Sequence, residues 1–177
     1  MYQMLDTGIF AGQRFELIHG DLINKKGQSP SHACALQRTF AFLINIFGVK
    51  LVRNQFPVVM SATDRATSEP EPDLAVFSEA KEDEFTLRHP NGSETILAIE
   101  ISDTKTLRFD STINRDLYAR AGVPEYWVLD INVRQLLVHR QLDPASTRYL
   151  NIQRYSANPS TSPPHPSLLP IYCHKPR

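Results

Sequence analysis

Cysteine is nearly missing from this chain. Its two cysteines, Cys34 and Cys173, stand far apart in 177 residues. That excludes a disulfide framework, and no Cys/His spacing matches a zinc site. Long apolar runs are missing as well. None reaches the roughly 18 residues that a membrane-crossing helix needs, so no membrane partner is expected. The N-terminus has neither the basic start nor the apolar stretch of a secretion signal, which makes a reducing cytoplasm the expected location. Net charge is also absent, with 19 basic and 19 acidic residues. A globally basic nucleic-acid binder is thereby excluded, although a local basic groove is not. No internal repeat is visible.

What remains is ordinary for a globular domain: 41% apolar and 21% charged residues. The length fits one domain, expected over residues 1–155. A tail over residues 156–177, rich in Pro, Ser and Thr and without periodicity, is expected to be poorly ordered.

Residues 1–13 read as a lead-in. Phe15–Ile18 and Asp21–Asn24 flank His19-Gly20 and predict a hairpin. Ser29 or Ser31 is the candidate cap of a helix over His32–Phe47, where Leu36, Phe40, Leu43, Ile44 and Phe47 recur at helical spacing. Gly48 ends it. A strand over Leu51–Met60 is interrupted by Pro57. Short strands follow at Asp73–Phe77 and Thr95–Ser102. The second is apolar on both faces, the pattern of a central, doubly covered strand. Alternation puts Glu100 on one face with Ile96 and Ala98. A second helix spans 109–121, with Asp110, Asn114 and Tyr118 four apart on one stripe. Tyr126–Ile131, Gln135–Arg140 and Tyr149–Tyr155 predict a meander.

Two acids stand out. Asp73 opens an apolar strand and Glu100 lies near the end of another. A buried carboxylate is costly unless it is paired, hydrogen-bonded or bound to a metal. Two carboxylates on neighbouring strands suit a divalent ion, which activates water and neutralises phosphate charge. The plainer alternative is that Asp73 ends a loop and Glu100 pairs with a basic neighbour.

Several separated motifs occur here in a particular order. They are Phe15-Glu16-Leu17-Ile18-His19-Gly20, His32, Glu69-Pro70-Glu71-Pro72-Asp73, His89-Pro90, Glu100-Ile101-Ser102-Asp103, and the run from Leu117 to Asp130. Together they resemble the Uma family of restriction-endonuclease-like proteins, within the PD-(D/E)XK nuclease superfamily, over about residues 4–155. The resemblance implies an α/β (α+β) fold with a mixed central sheet flanked by helices and an N-terminal hairpin. It implies Asp73 and Glu100 as ligands of magnesium or manganese, Glu16 as a further acid, and His32 and Gln55 as site-lining residues.

The resemblance also implies a lysine that is missing. In the superfamily it lies two residues after the glutamate, where this chain has Ser102. In Uma-like proteins it lies four residues before the helix tyrosine, here Tyr118, and that position is Asn114. Asparagine orients water but carries no charge. Lys105 and Arg115 are the candidate substitutes, with Arg115 rotated away by about 100°. The aromatic pair Tyr126-Trp127 is expected to be core. Lys25, Lys26, Arg53, Arg65, Lys105 and Arg108 are candidates for phosphate contacts, or else solvated charges. The expectation is a metal-dependent DNA endonuclease. The alternative is a catalytically impaired nuclease fold that binds nucleic acid or a partner. A homodimer is the base-rate expectation.

Overall fold

The computed structural model describes residues 15–25 and 27–156. The expectations for residues 1–13, for Lys26, and for the tail beyond Ser156 lie outside the described residues.

A two-stranded antiparallel hairpin, β1 (Phe15–Ile18) and β2 (Asp21–Asn24), opens the described chain. His19 and Gly20 turn it with φ of 51° and 87°. Glycine takes this left-handed backbone at little cost, while histidine does so less readily. Among the described residues the hairpin forms a sheet separate from the main one. It docks through a bridge from Leu17 to Glu69, whose N–H donates to the Leu17 carbonyl at 2.7 Å.

Helix α1 runs over Pro30–Phe47. Of the two candidate caps it is Ser29 that acts, accepting from the His32 N–H, and Pro30 occupies the first turn, where a missing N–H costs nothing. Gly48 closes the helix at φ 84°, its N–H on the Ile44 carbonyl.

The main sheet has six strands in the order β3 (Val52–Asn54), β4 (Leu74–Phe77), β5 (Thr95–Ser102), β6 (Glu125–Asp130), β7 (Gln135–Asp143) and β8 (Arg148–Ser156). Only β5 and β6 are parallel; the other neighbours are antiparallel. The mixed sheet, the hairpin and the meander agree with the sequence expectation. A short helix α2 (Glu82–Phe85) and a 3-10 turn (Gly92–Glu94) precede β5.

Both faces of β5 are covered. One core cluster joins Leu97, Ile99 and Ile101 to Leu43, Leu74, Trp127 and Leu129, beneath α1. Trp127 is therefore core, as expected. Truncating a fully buried residue such as Leu43 costs about 2–5 kcal/mol. On the other face Ala98, Leu117, Tyr118, Tyr126 and Val128 form a second cluster.

Three local readings change. The strand expected over Leu51–Met60 shrinks to Val52–Asn54, because Gln55 takes φ 49° and Val58 and Val59 pair with the Pro70 and Pro90 carbonyls instead of a strand. Ile96 packs with Leu97 rather than with Glu100. The β4–β5 register slips between Val76 and Phe77, so simple alternation fails there. The second helix comes in three pieces: α3 (Leu107–Phe109), a π-helical turn (Asp110–Asn114) and α4 (Arg115–Arg120).

Candidate metal and phosphate site

Asp73 enters β4 and Glu100 lies on β5, the neighbouring strand, with Leu74 opposite Ile99. The Asp73 N–H donates to Glu100 Oε2 at 3.4 Å. Asp73 Oδ2 accepts from the Ile101 N–H at 2.8 Å and lies 3.1 Å from His32 Nε2. That histidine sits in the first turn of α1, pinned by the Ser29 cap. Burial, the largest single influence, lowers the His32 pKa, but the bond to Asp73 and the charges of Asp73 and Asp103 together raise it. Gln55 adjoins Asp73 through the backbone, its N–H on the Asp73 carbonyl at 3.1 Å.

The π-helical turn supplies the opposite wall. Four residues of α-helix overshoot a full turn by about 40°. The wider π turn rotates less per residue, so its drift has the opposite sign. Asp110, Asn114 and Tyr118 thus stay on one stripe facing β5. Asn114 Nδ2 donates to Asp110 Oδ1 at 3.0 Å and to Glu100 Oε1 at 3.4 Å. The Tyr118 hydroxyl donates to Glu100 Oε1 at 3.2 Å. Ser102 donates to Asp110 Oδ2 at 2.7 Å. Tyr126, below, donates to the Asp110 carbonyl at 2.9 Å. π turns of this kind recur at functional sites.

The docked hairpin brings Glu16, whose Oε2 accepts from the Glu71 N–H at 3.3 Å. With it comes Lys25. Its ammonium lies 3.4 Å from Glu16 and 3.6 Å from Glu71 Oε2, and donates to the Glu71 carbonyl.

Glu16, Asp73, Glu100 and Asp110, all buried, therefore share this small volume, with the half-buried Glu71 beside them. Burial pushes the Glu100 carboxyl well up, and the charges of Asp110 and Asp73 push it further. Asp110 rises to about 6, mainly through burial, against the lowering bonds from Ser102 and Thr106. Glu16 is raised by burial, partly offset by Lys25. Such an excess of buried acid is unstable without a cation.

The donor set suits a hard ion. It is all oxygen, and Asn114 Oδ1 is buried without a hydrogen-bond partner among the described residues. Among the described residues, no three His, Cys, Asp or Glu side chains already converge as a cage. Magnesium does not need one, since it keeps several waters and binds through one or two carboxylates.

Each expected site residue can now be placed. Glu16, His32, Asp73, Glu100, Ser102, Asn114 and Tyr118 come together, with Gln55 alongside. Lys105 does not join them: it is exposed on the loop after β5. Arg115 is held by Asp116 at 2.7 Å. Of the other candidate cations, Arg53 faces Glu82 at 3.8 Å, while Arg65 and Arg108 are exposed. Sequence reasoning passed over three participants. Asp110 was visible only as one member of the three-residue stripe with Asn114 and Tyr118. Glu71 sat inside the Glu-Pro-Glu-Pro-Asp run. Lys25 counted only as a loop cation, and nothing local in the sequence signals that the hairpin folds over Asp73.

This sheet, with paired acids on adjacent strands and a helix stripe across from them, is a restriction-endonuclease-like nuclease fold. The solved structure of "a putative nuclease belonging to DUF820" from Anabaena variabilis is similar over 88% of this chain and 83% of its own, with a TM-score of 0.62 and 15% identity. Residues 1–169 match the sequence model of Uma2, described as "Putative restriction endonuclease". The chain belongs to the Uma2 family. Restriction-endonuclease-like proteins generally use divalent metals and act on nucleic acid. Among curated proteins none matches the chain. Among the described residues no helix is long and apolar enough to cross a membrane.

Proposed function

We propose that this protein is a DNA endonuclease that uses magnesium or manganese, held by Asp73 and Glu100. One observation carries the reading: Asp73 and Glu100 are buried side by side with Glu16 and Asp110. A structural ion pair would leave one acid and one base, not an excess of acids.

When bound, the ion supplies Lewis acidity toward a phosphate oxygen and acidifies water. The chain's own groups do the rest. Ile101 N–H and His32 fix Asp73, while Tyr118 and Asn114 fix Glu100, so both carboxylates are oriented before substrate arrives. Ser102 and Asn114 hold Asp110. Water adds to phosphorus as the bond from phosphorus to one sugar oxygen breaks. Glu16 assists by taking the proton of the water, and the leaving oxygen takes one from solvent. We read the enzyme as a cytoplasmic homodimer with residues 1–155 as its catalytic domain.

Plasmid cleavage with magnesium or manganese tests this reading. Asp73→Ala is expected to abolish it; cleavage unchanged in that variant would overturn the assignment. A second reading, a binding module without catalysis, is favoured by Ser102 and Asn114 standing where the lysine is expected. It predicts salt-dependent DNA binding with no cleavage.

A further inference from the structure

We propose that Lys25 is the catalytic cation of this site, delivered from the hairpin in place of the lysine missing at Ser102 and Asn114. The inference rests on the nuclease reading above and deepens it.

The hairpin register explains how Lys25 arrives. Glu16 pairs with Ile23, and strand side chains alternate between faces, so Lys25, two residues beyond Ile23, returns to the face of Glu16. Among the described residues, antiparallel pairing runs as far as Asn24, opposite Phe15. The Leu17–Glu69 bridge then sets the hairpin edge beside the segment that leads into Asp73, where Glu16 on this face accepts from the Glu71 N–H.

The surroundings of Lys25 are those of the site and not of the surface. Its side chain is 21% exposed. It touches the Glu16 carboxylate, the Glu71 carboxylate and the Glu71 carbonyl, two residues from Asp73. Its charge also couples to those of Glu100 and Asp73. Nearby alternatives are committed elsewhere: Arg120 to Asp64 at 2.9 Å and Arg115 to Asp116 at 2.7 Å. An ammonium is a compact charge on a flexible stem with three donors. Two of its partners here are carboxylates that an arriving phosphate can displace. The amine would then stabilise charge on the phosphate and hold the attacking water, while that water's proton still leaves through Glu16.

The test compares wild type, Lys25→Met, Lys25→Gln, Asp73→Ala and the double variant Lys25→Met with Asn114→Lys. Thermal unfolding verifies the fold, and electron paramagnetic resonance follows manganese binding. Lys25→Gln keeps a donor for the Glu71 carbonyl and stands in should Lys25→Met not fold. Cleavage is expected to fall about a hundredfold or more in either neutral variant, with manganese still bound. Asn114→Lys, which restores a cation from the helix side, is expected to recover at least about tenfold of that loss. Wild-type cleavage rates in Lys25→Met or Lys25→Gln, with Asp73→Ala inactive, would overturn the role of Lys25 and leave the nuclease reading standing. If the wild type neither cleaves nor binds manganese, the nuclease reading falls and the role of Lys25 falls with it.

Discussion

Glu94 and Glu100 bracket the same strand, six residues apart, and their surroundings are opposite. Glu94 stands at the entrance of β5, gripped by a two-pronged pair with Arg88 at 2.7 and 2.8 Å. Lys81 adds a contact at 3.1 Å, and the Asn91 N–H donates at 2.9 Å within a capping box. These partners hold the Glu94 carboxyl well below its usual range, the Arg88 bond most of all. Glu100, near the exit of β5, meets Asp110, Asp73 and Glu16, and its carboxyl is raised. Glu94 at the first end lies directly against two cations, as in a scaffold. At the second end negative charge is left in excess, and Lys25 offsets only part of it. A fold retains such an excess when a ligand cation completes it.

The largest expected break in this contrast comes from Glu100→Gln. Cleavage should fall at least about a hundredfold, while the metal-free protein becomes more stable to urea at pH 7, because the cost of burying an ionisable carboxyl among other acids is gone. A loss of stability instead would mean that Glu100 is paired as Glu94 is.

Acidity should separate the two ends next. Asp110 has a folded pKa of about 6 against an ordinary 3.8. Its stabilising contribution is therefore full below about pH 4 and lost as pH rises through about 6. That shift of about two units corresponds to roughly 3 kcal/mol. Glu94 is depressed, so its contribution is present above the ordinary 4.5 and lost as pH falls. Metal-free protein should thus be most stable between these windows, on the acid side of neutrality. Urea unfolding across pH would show this maximum, and manganese should lift only the neutral side. In Asp110→Asn the neutral-side decline should shrink.

Gly92, in the 3-10 turn that carries Glu94, probes the scaffold end. A Cβ there would meet the Ala121 carbonyl oxygen at 2.4 Å. Gly92→Ala should cost about 1–3 kcal/mol by overpacking, read as a lower urea midpoint. Its effect on cleavage should follow stability alone. The smallest effect belongs to Glu94→Gln. Because its cationic partners are partly exposed, the loss should be about 0.5–1 kcal/mol, with cleavage per folded molecule unchanged.

Much of the fold was legible in the sequence. The α1 periodicity, the Ser29 cap and the Gly48 stop are local signals, and the doubly apolar β5 announced a central strand. The irregular places were not legible. Gln55 leaves the β region and ends β3 early, and the bulge beside Phe77 turns Ile96 to the other face. Neither has a local signature, because each is set by how neighbouring segments pair. The site was legible in its acids. Asp73 and Glu100 are conspicuous because apolar strands seldom carry carboxylates, and the resemblance to the Uma family added Glu16, His32 and Gln55.

The sequence by itself determined which strands form, which acids they carry, and that Ser102 and Asn114 leave the usual lysine positions without charge. Alternation and helical spacing reach only as far as one element, so it offered Lys105 and Arg115 as substitutes and Lys25 only as one of several loop cations. Tertiary structure leaves Lys105 exposed and sets Lys25 among the acids. Docking of the hairpin on Glu69 brings Glu16 and Lys25 together to Glu71, and the π turn keeps Asp110 in line with Asn114 and Tyr118. Charges far apart along the chain interact only after the backbone has placed them within a few ångströms, and burial then sets the strength of that interaction.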